Sequence, residues 1–278
     1  MMIKKNENKK ITFHVGLPRT ASTFLQSRVF PVFRGIEYVK KHDFRKHDAI
    51  IANADKPVLL STEMDLGKGR RNSKALYAIT EKYPHVRLIL VLRRHDKWIA
   101  SKYKYFIRKN GTLSFHDFFN LQPDDGFFRT EHLKYRKIID DLETLCESRP
   151  LVIFQEELIN APEKIIQLMA DYCGAEVNVK DIKLNRVNYA FSEKQLRLLL
   201  KFNRRFYFDK EKHGRFRKKM RAAMIHGLAF LAQIFVVSSG KEKALILDDD
   251  LKQIREAFRD DWEACVEYAL QDRKLYIE

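Results

Sequence analysis

The sequence predicts an α/β protein with a mostly parallel sheet flanked by helices. Short apolar runs rich in β-branched residues alternate along the chain with longer segments of helical periodicity, which is the pattern of successive βαβ units. The hydrophobic content of 45% is that of a globular protein, and 278 residues suffice for a sizeable core. We therefore expect a single α/β domain over residues 1–278, in which residues 207–278 form a helical C-terminal extension.

Four apolar runs predict the strands of this sheet. The third run is apolar apart from Arg87, as expected for a strand that is buried on both faces. Because ligands of parallel sheets bind beyond the carboxyl ends of the strands, the polar residues Arg19, Glu63 and Arg93 are expected to converge on one crevice. The predicted strands are Ile11–Val15, Pro57–Glu63, Val86–Leu92 and Leu151–Phe154.

Apolar residues at helical spacing predict the helices. Gly174 is expected to close one helix in a left-handed conformation, and Ser192 to cap the start of another. Residues 111–128 carry many aromatic and turn residues, which indicates a loop-rich excursion that covers a site. The predicted helices cover residues 72–82, 96–108, 133–146, 161–173, 192–206 and, as one helix, 248–271.

The first predicted strand leads into an anion-binding loop. Gly16 and Pro18 interrupt the strand, and hydroxyl residues then precede a run of helical spacing that begins at Thr23. A strand, a tight loop and a helix N-terminus together collect backbone N–H groups and partial positive charge around an anion. Arg19 adds a fork of charged donors suited to phosphate or sulfate. The alternative is a helix that is merely well capped after a core strand.

The loop is not a Walker A motif, because its second glycine and its Lys-Ser/Thr pair are missing. The sequence Pro18-Arg19-Thr20-Ala21-Ser22-Thr23 instead resembles the 5′-phosphosulfate loop of sulfotransferases that use 3′-phosphoadenosine 5′-phosphosulfate (PAPS). These enzymes carry a Pro-Lys/Arg-x-Gly-Thr/Ser-Thr core after the first strand. Ala21 departs from that pattern, since glycine is usual there, and it narrows the freedom of the turn.

A second segment resembles the same family. After the third predicted strand, Arg93 is followed eight positions later by Ser101, and in the family such a pair holds the 3′-phosphate of PAPS. An arginine and a serine at this spacing have no value as a motif on their own. Their position after a strand and downstream of the loop makes the match specific. A softer match is Ile153-Phe154-Gln155-Glu156-Glu157-Leu158. The resemblance covers about residues 11–205, and the family's Arg-Lys-Gly element has no match.

The resemblance implies sulfuryl transfer from PAPS, without a metal, to a hydroxyl or amine of an acceptor. Arg19 would stabilise the departing bisphosphate, and Glu63 looks like the glutamate base of carbohydrate-specific relatives, which favours a glycan or glycolipid acceptor. A strand-end salt bridge is the alternative for Glu63. Phe24 matches a position that stacks on adenine in some relatives, although a core role fits it equally well. The loop residues that would bind the 5′-phosphosulfate through hydroxyls and amides are Thr20, Ala21, Ser22 and Thr23.

The remaining features limit the possible partners and the cellular compartment. A net charge of +16 implies an acidic partner, but we expect no nucleic acid, because no groove-reading motif is present. Three scattered cysteines and a polar start that lacks a secretory signal predict reduced thiols and a cytoplasmic protein. Residues 215–237 join a basic cluster to an apolar stretch, which is either a buried helix or a peripheral contact with a membrane. A kinase or NTPase with a divergent loop, or a basic nucleic-acid-binding protein, is the alternative function.

Overall fold

The computed structural model describes residues 10–40, 46–63, 71–83, 85–184, 191–206, 227 and 244–277. The chain divides into two compact units. The first unit draws on residues 1–95, 131–187 and 258–278, and it contains the sheet. The second draws on residues 96–130 and 188–257. The basic and apolar segment at 215–237 lies outside the described residues except for Gly227.

The first unit is built on a parallel sheet, as the sequence predicts. Its strand order is β2-β3-β1-β4-β5, and every pair of neighbours is parallel. The first strand therefore lies at the centre, and the loop that follows it lies over the middle of the carboxyl edge, where α/β sheets bind ligands. The strands are β1 (Ile11–Gly16), β2 (Glu37–Val39), β3 (Val58–Glu63), β4 (Arg87–Leu92) and β5 (Leu151–Phe154).

Burial of the central strands on both faces explains their apolar sequences. Every residue of β1 and of β5 is buried, and in β4 burial begins at the second residue. The edge strand β2 is missing from the sequence-based prediction. It has three residues, of which only Val39 is buried, so it leaves no alternating pattern to detect.

The helices agree with the sequence in most of their bounds. Gly174 ends one helix at φ 72° as a left-handed cap, and Ser192 caps another through its hydroxyl, which accepts from Gln195 N. The helices are α1 (Ser22–Phe24), α2 (His47–Asn53), α3 (Arg71–Lys82), α4 (His95–Arg108), α5 (Phe115–Phe118), α6 (Tyr135–Cys146), α7 (Gln155–Asn160), α8 (Pro162–Cys173), α9 (Glu193–Arg205), α10 (Asp248–Ala257) and α11 (Arg259–Leu270).

The single helix predicted over residues 248–271 is wrong, because the structure has two helices there. They meet at Phe258, whose backbone leaves the helical region (φ −110°, ψ 18°). The Phe258 ring is buried and stacks on His95 at a centroid distance of 4.7 Å. A sequence pattern of continuous helical spacing cannot reveal this break, since the apolar stripe runs through it.

The aromatic-rich residues 111–128 are mostly loop, as the sequence predicts, with one short helix, and they belong to the second unit. Phe115 and Phe118 lie on α5 and contact Tyr103 of α4 at ring-centroid distances of 5.2 and 5.3 Å. Phe128 packs on Trp98 in the same way, at 5.3 Å. All five rings are buried, so their contribution is the hydrophobic core of this unit.

A buried ion pair fixes the C-terminal segment within the first unit. Arg273 donates from Nη1 and Nη2 to the two carboxylate oxygens of Glu157, each at 2.7 Å. Glu157 is fully buried, and it also accepts from the backbone N–H groups of Phe154 and Tyr276. This carboxylate therefore joins the end of β5 and the start of α7 to a segment more than a hundred residues away along the chain.

The three cysteines are free thiols in three different helices of the first unit. They are Cys146 on α6, Cys173 on α8 and Cys265 on α11, and all are buried. Burial raises the pKa of Cys146 and of Cys173 to about 12. In the described part of the chain, no helix has the length and apolarity needed to cross a bilayer.

Candidate functional site

The loop after β1 holds an unusual backbone conformation. Arg19 and Ala21 both have positive φ, at 75° and 65°, a region that residues other than glycine seldom occupy. Thr20 lies between them, fully buried, and its hydroxyl and its N–H both donate to the carbonyl oxygen of Leu17, at 2.6 and 3.3 Å. The Thr20 side chain thus stabilises the turn from inside the protein.

The loop leads directly into a helical segment. Ala21 occupies the N-cap position of α1, and its methyl group provides no side-chain acceptor for the first turn. The helical path continues through a π-turn over Leu25–Val29 and a 3₁₀ turn over Phe30–Val32. A helix start without a side-chain cap leaves N–H groups that need acceptors from elsewhere.

Ser22 brings a buried hydroxyl to the inner side of the loop. The residue is 2% exposed, and its Oγ has no hydrogen-bond partner in the described protein. It approaches Gly16 so closely that a Cβ at Gly16 would lie 2.3 Å from this oxygen. Glycine is therefore required at the end of β1, since any side chain would displace Ser22.

His14 lies on the same side of Gly16 as the Ser22 hydroxyl. The Nε2 atom of His14 lies 3.2 Å from the position of a Gly16 Cβ, and it too has no hydrogen-bond partner among the described residues. Its Nδ1 lies 2.8 Å from Ser61 Oγ on β3. Burial lowers the pKa of His14 to about 3.

Thr23 and Phe24 differ in their surroundings. Thr23 is exposed, and its carbonyl accepts a hydrogen bond from Ser27 Oγ at 2.6 Å. Phe24 is half-buried and packs against the hydrophobic core of the first unit, which is the core role left open by the sequence. Its position on the first helical turn keeps it next to the loop.

Strand register brings Glu63 beside the start of the loop. Glu63 is the last residue of β3 and pairs with Gly16 of β1. It is half-buried. Glu63 therefore lies at the carboxyl edge of the sheet, on the strand next to β1 and its loop, as the sequence predicts.

Arg93 lies at the same edge on the other side of β1. It follows β4, in which Val91 pairs with Gly16. Arg93 Nη1 donates to the carbonyl oxygen of Arg19 at 3.5 Å. The two arginines that the sequence singles out are therefore adjacent. Ser101, the other predicted member of the 3′-phosphate pair, is half-buried on α4 and belongs to the second unit.

The sequence does not reveal the contacts that hold the turn after Arg93. His95 Nε2 lies 2.9 Å from the carbonyl of Leu133 and 3.0 Å from Asp261 Oδ2. Asp261 also accepts from the N–H groups of Tyr135 and Arg136, which open α6. His95 is buried in these contacts. A pair separated by 166 residues leaves no local sequence signal.

The sequence matches no protein-family model and no curated protein. Among solved structures, two sulfotransferases are similar to this chain over most of its length. The mouse sulfotransferase SULT7A1 complexed with PAP is 14% identical, with a TM-score of 0.47 over 95% of this chain and 89% of that one. A sulfotransferase from Alicyclobacillus acidocaldarius is 12% identical, with a TM-score of 0.45 over 84% of this chain and 97% of that one.

Proposed function

We propose that this chain is a sulfotransferase that moves a sulfuryl group from PAPS to a hydroxyl or amine of an acceptor. The observation that carries the proposal is the buried Ser22 hydroxyl, which has no partner among the described residues and lies at an uncapped helix start. A buried polar group without a partner is unfavourable. An anion bound in the loop would supply the missing acceptor.

The loop fits the phosphosulfate end of PAPS. The left-handed residues Arg19 and Ala21 turn the backbone so that the chain passes at once from a central strand into a helix. Such a turn directs N–H groups and the positive end of a helix at an anion. The Arg19 guanidinium adds full charge. We propose that Thr20, Ala21, Ser22 and Thr23 surround the 5′-phosphosulfate.

A second cation at the same edge supports a ligand with two anionic ends. Arg93 Nη1 contacts the backbone carbonyl of Arg19, so a second cation lies directly beside the loop. We propose that Arg93 binds the 3′-phosphate, and that Phe24 contacts the adenine. An ordinary nucleoside triphosphate lacks the 3′-phosphate and would not use this second group.

Transfer of the sulfuryl group requires charge neutralisation and a proton acceptor. PAPS supplies an activated sulfur whose bond to the 5′-phosphate oxygen breaks as the bond to the acceptor oxygen or nitrogen forms. We propose that Arg19 neutralises charge on the departing oxygen. The acceptor proton passes to the Glu63 carboxylate at the end of β3, beside the loop.

We propose a glycan or glycolipid as the acceptor. The support is chemical: a carboxylate rather than an imidazole ends the strand beside the loop, which is the arrangement of the carbohydrate-specific enzymes that the sequence resembles. A net charge of +16 also favours an acidic glycan or an anionic lipid surface near the acceptor.

Ligand-dependent thermal stability tests the function. Adenosine 3′,5′-bisphosphate should raise the melting temperature by several degrees, whereas ATP with Mg²⁺ and a short DNA duplex should each have little effect. Stabilisation by ATP-Mg²⁺ alone would favour the kinase alternative, and stabilisation by DNA alone would favour the nucleic-acid-binding alternative. Transfer of radiolabelled sulfate from PAPS to a panel of glycans and glycolipids then identifies the acceptor.

A further inference from the structure

We propose that Asp261, acting through His95, positions Arg93 for the 3′-phosphate of the bound nucleotide. Asp261 is then a positioning residue, which sets the preference of the site for a nucleotide that carries a 3′-phosphate. This inference rests on the proposed function, because it assigns how the second cation of the site is held. Asp261 lies on α11, outside residues 11–205, to which the resemblance to sulfotransferases extends.

Arg93 lies in a short connection that is held at both ends. It directly follows Leu92, the last residue of β4, which the sheet fixes by pairing with β5. Two positions after Arg93, His95 begins α4 and is buried. Between these two residues, the Arg94 N–H donates to Glu156 Oε1 at 3.3 Å. The position of the Arg93 backbone therefore depends on the contacts that fix His95.

Asp261 fixes the His95 imidazole through a hydrogen bond of known direction. His95 Nε2 lies 2.9 Å from the carbonyl oxygen of Leu133 and 3.0 Å from Asp261 Oδ2. A carbonyl oxygen can only accept, so Nε2 carries a proton and is the donor. Asp261 also accepts from the N–H groups of Tyr135 and Arg136, at 2.9 and 3.1 Å. This convergence of N–H groups suits a carboxylate, whose two oxygens are both acceptors.

Aromatic rings restrict the orientation of the imidazole. Tyr135 and Phe258 stack on the His95 ring at centroid distances of 4.1 and 4.7 Å, with interplanar angles of 23° and 6°. Burial raises the pKa of the Tyr135 hydroxyl, and the charge of Arg93 partly offsets this rise. The Arg93 guanidinium therefore lies within electrostatic range of the stack. His95 is thus connected to Arg93 both along the chain and through the Tyr135 ring.

This anchor favours anion binding because it restricts the guanidinium in advance. A side chain that is already held loses less conformational freedom when its ligand binds. Arg93 Nη1 contacts the carbonyl oxygen of Arg19 at 3.5 Å, so the anchored arginine lies beside the loop. Without the carboxylate of Asp261, the connection after β4 loses a fixed end. We expect affinity for the 3′-phosphate to fall, while the loop after β1 keeps its contacts with the 5′ end.

Calorimetry of the full chain with adenosine 3′,5′-bisphosphate and adenosine 5′-monophosphate tests the inference, since the second ligand lacks the 3′-phosphate. We expect Asp261→Asn to weaken binding of the bisphosphate about tenfold and to change the affinity for the monophosphate by less than about twofold. Asp260→Asn, at an exposed position in the same helical turn, is the matched control and should retain both affinities. An unchanged bisphosphate affinity in Asp261→Asn, or equal losses for both ligands, would overturn the inference.

Variants of His95 separate the hydrogen bond from the packing of the ring, and they keep the inference testable if Asp261→Asn does not fold. His95→Phe keeps an aromatic ring in the stack but cannot donate to Asp261, whereas His95→Gln keeps an N–H donor. We expect His95→Phe to lower the ratio of bisphosphate to monophosphate affinity about tenfold, and His95→Gln to retain most of it. Urea denaturation gives the stability of each variant. A ratio that follows stability instead of the presence of the N–H donor would contradict the positioning role.

A double-mutant cycle tests whether Asp261 acts through Arg93. In an Arg93→Met background, Asp261→Asn should have little further effect on bisphosphate affinity, and additive losses would count against the inference. If Arg93→Met lowers the affinity ratio but Asp261→Asn and His95→Phe do not, the inference fails and the proposed function stands. If the wild-type protein binds the bisphosphate no more tightly than the monophosphate, the proposed function fails.

The location of the His95 proton provides a readout that does not depend on the ligand. Imidazole ¹⁵N shifts of the wild-type protein should show a proton on Nε2 with or without nucleotide. A ring that is protonated only on Nδ1 would contradict the hydrogen bond to Asp261, whichever ligand the protein binds.

Discussion

Arg93 Nη1 donates to the backbone carbonyl of Arg19 at 3.5 Å, which joins the residue after β4 to the crest of the loop after β1. This contact runs from the side chain of one arginine to the backbone of the other. The Arg93 guanidinium thus lies against the loop at the central carboxyl edge of the sheet. A ligand that replaces the Arg19 carbonyl as the acceptor would engage Arg93 without moving the loop.

The assigned role of Arg93 predicts a change in ligand preference. Arg93→Met should weaken binding of adenosine 3′,5′-bisphosphate by about ten- to a hundredfold, because a hydrogen-bonded charge contact is lost. Binding of adenosine 5′-monophosphate should be unaffected. Calorimetry with both ligands gives the ratio of their affinities. The neighbouring variant Arg94→Met is the matched control, and an equal loss there would contradict a specific role for Arg93.

The assigned role of Glu63 predicts a defect in turnover alone. Glu63→Gln keeps the shape of the side chain but cannot accept a proton, so kcat should fall by about 10²–10⁴-fold. Affinity for adenosine 3′,5′-bisphosphate should stay within about twofold of wild type. Steady-state kinetics with PAPS and calorimetry separate the two effects. Glu37→Gln on the exposed edge strand should retain full activity, and undiminished turnover in Glu63→Gln would remove Glu63 from catalysis.

The conformation of Ala21 predicts a stabilising substitution. At φ 65° an alanine is strained by about 1 kcal/mol relative to glycine, so Ala21→Gly should raise the free energy of unfolding by roughly that amount. Ala78→Gly on the exposed face of α3 should instead lower it by about 1 kcal/mol. Urea denaturation measures both. Destabilisation of similar size in the two variants would show that the Ala21 backbone is not strained in solution.

The buried pair of Arg273 and Glu157 predicts a large loss of stability. Arg273→Met leaves a fully buried carboxylate without its cation, which should reduce the free energy of unfolding by about 3–5 kcal/mol. The exposed pair of Lys137 and Asp141 supplies the control. Lys137→Met should change stability by less than about 1 kcal/mol. Similar effects of the two substitutions in chemical denaturation would contradict the structural role of Arg273.

The lowered pKa of His14 predicts that the free energy of unfolding decreases as the pH falls. Between the unfolded value of 6.5 and the folded value of about 3, the unfolded chain binds the additional proton. Stability is therefore full above pH 6.5 and is lost as the pH falls towards 3, by about 1.4 kcal/mol per pH unit from this residue. The stability of His14→Phe should lack this part of the slope. Parallel slopes for both proteins in denaturation series from pH 8 to 4.5 would contradict it.

The sequence predicts the framework of the site because local patterns encode it. Apolar runs mark β1, β3, β4 and β5, and polar residues at their ends place Glu63 and Arg93 at the same edge as the loop. The structure confirms the parallel α/β sheet. The roles of these residues in binding and catalysis remain predictions.

Features that depend on register or on distant segments are not encoded locally. Ser61 reads as an ordinary strand residue until the sheet pairs it with His14. In the same way, Glu157 pairs with Arg273 across 116 residues, and the helical path breaks at Phe258, whose ring stacks on His95. Each of these contacts requires the folded arrangement before it can be recognised.

The buried cysteines can serve as native reporters of local unfolding. Each thiol belongs to a different helix of the first unit, and burial both shields it and raises its pKa. Alkylating reagents attack the thiolate, which the folded protein shields. Each cysteine will therefore be modified only when its helix, α6, α8 or α11, becomes exposed to solvent. Mass spectrometry of time-resolved labelling can then rank these helices by how readily each one detaches, without any engineered probe.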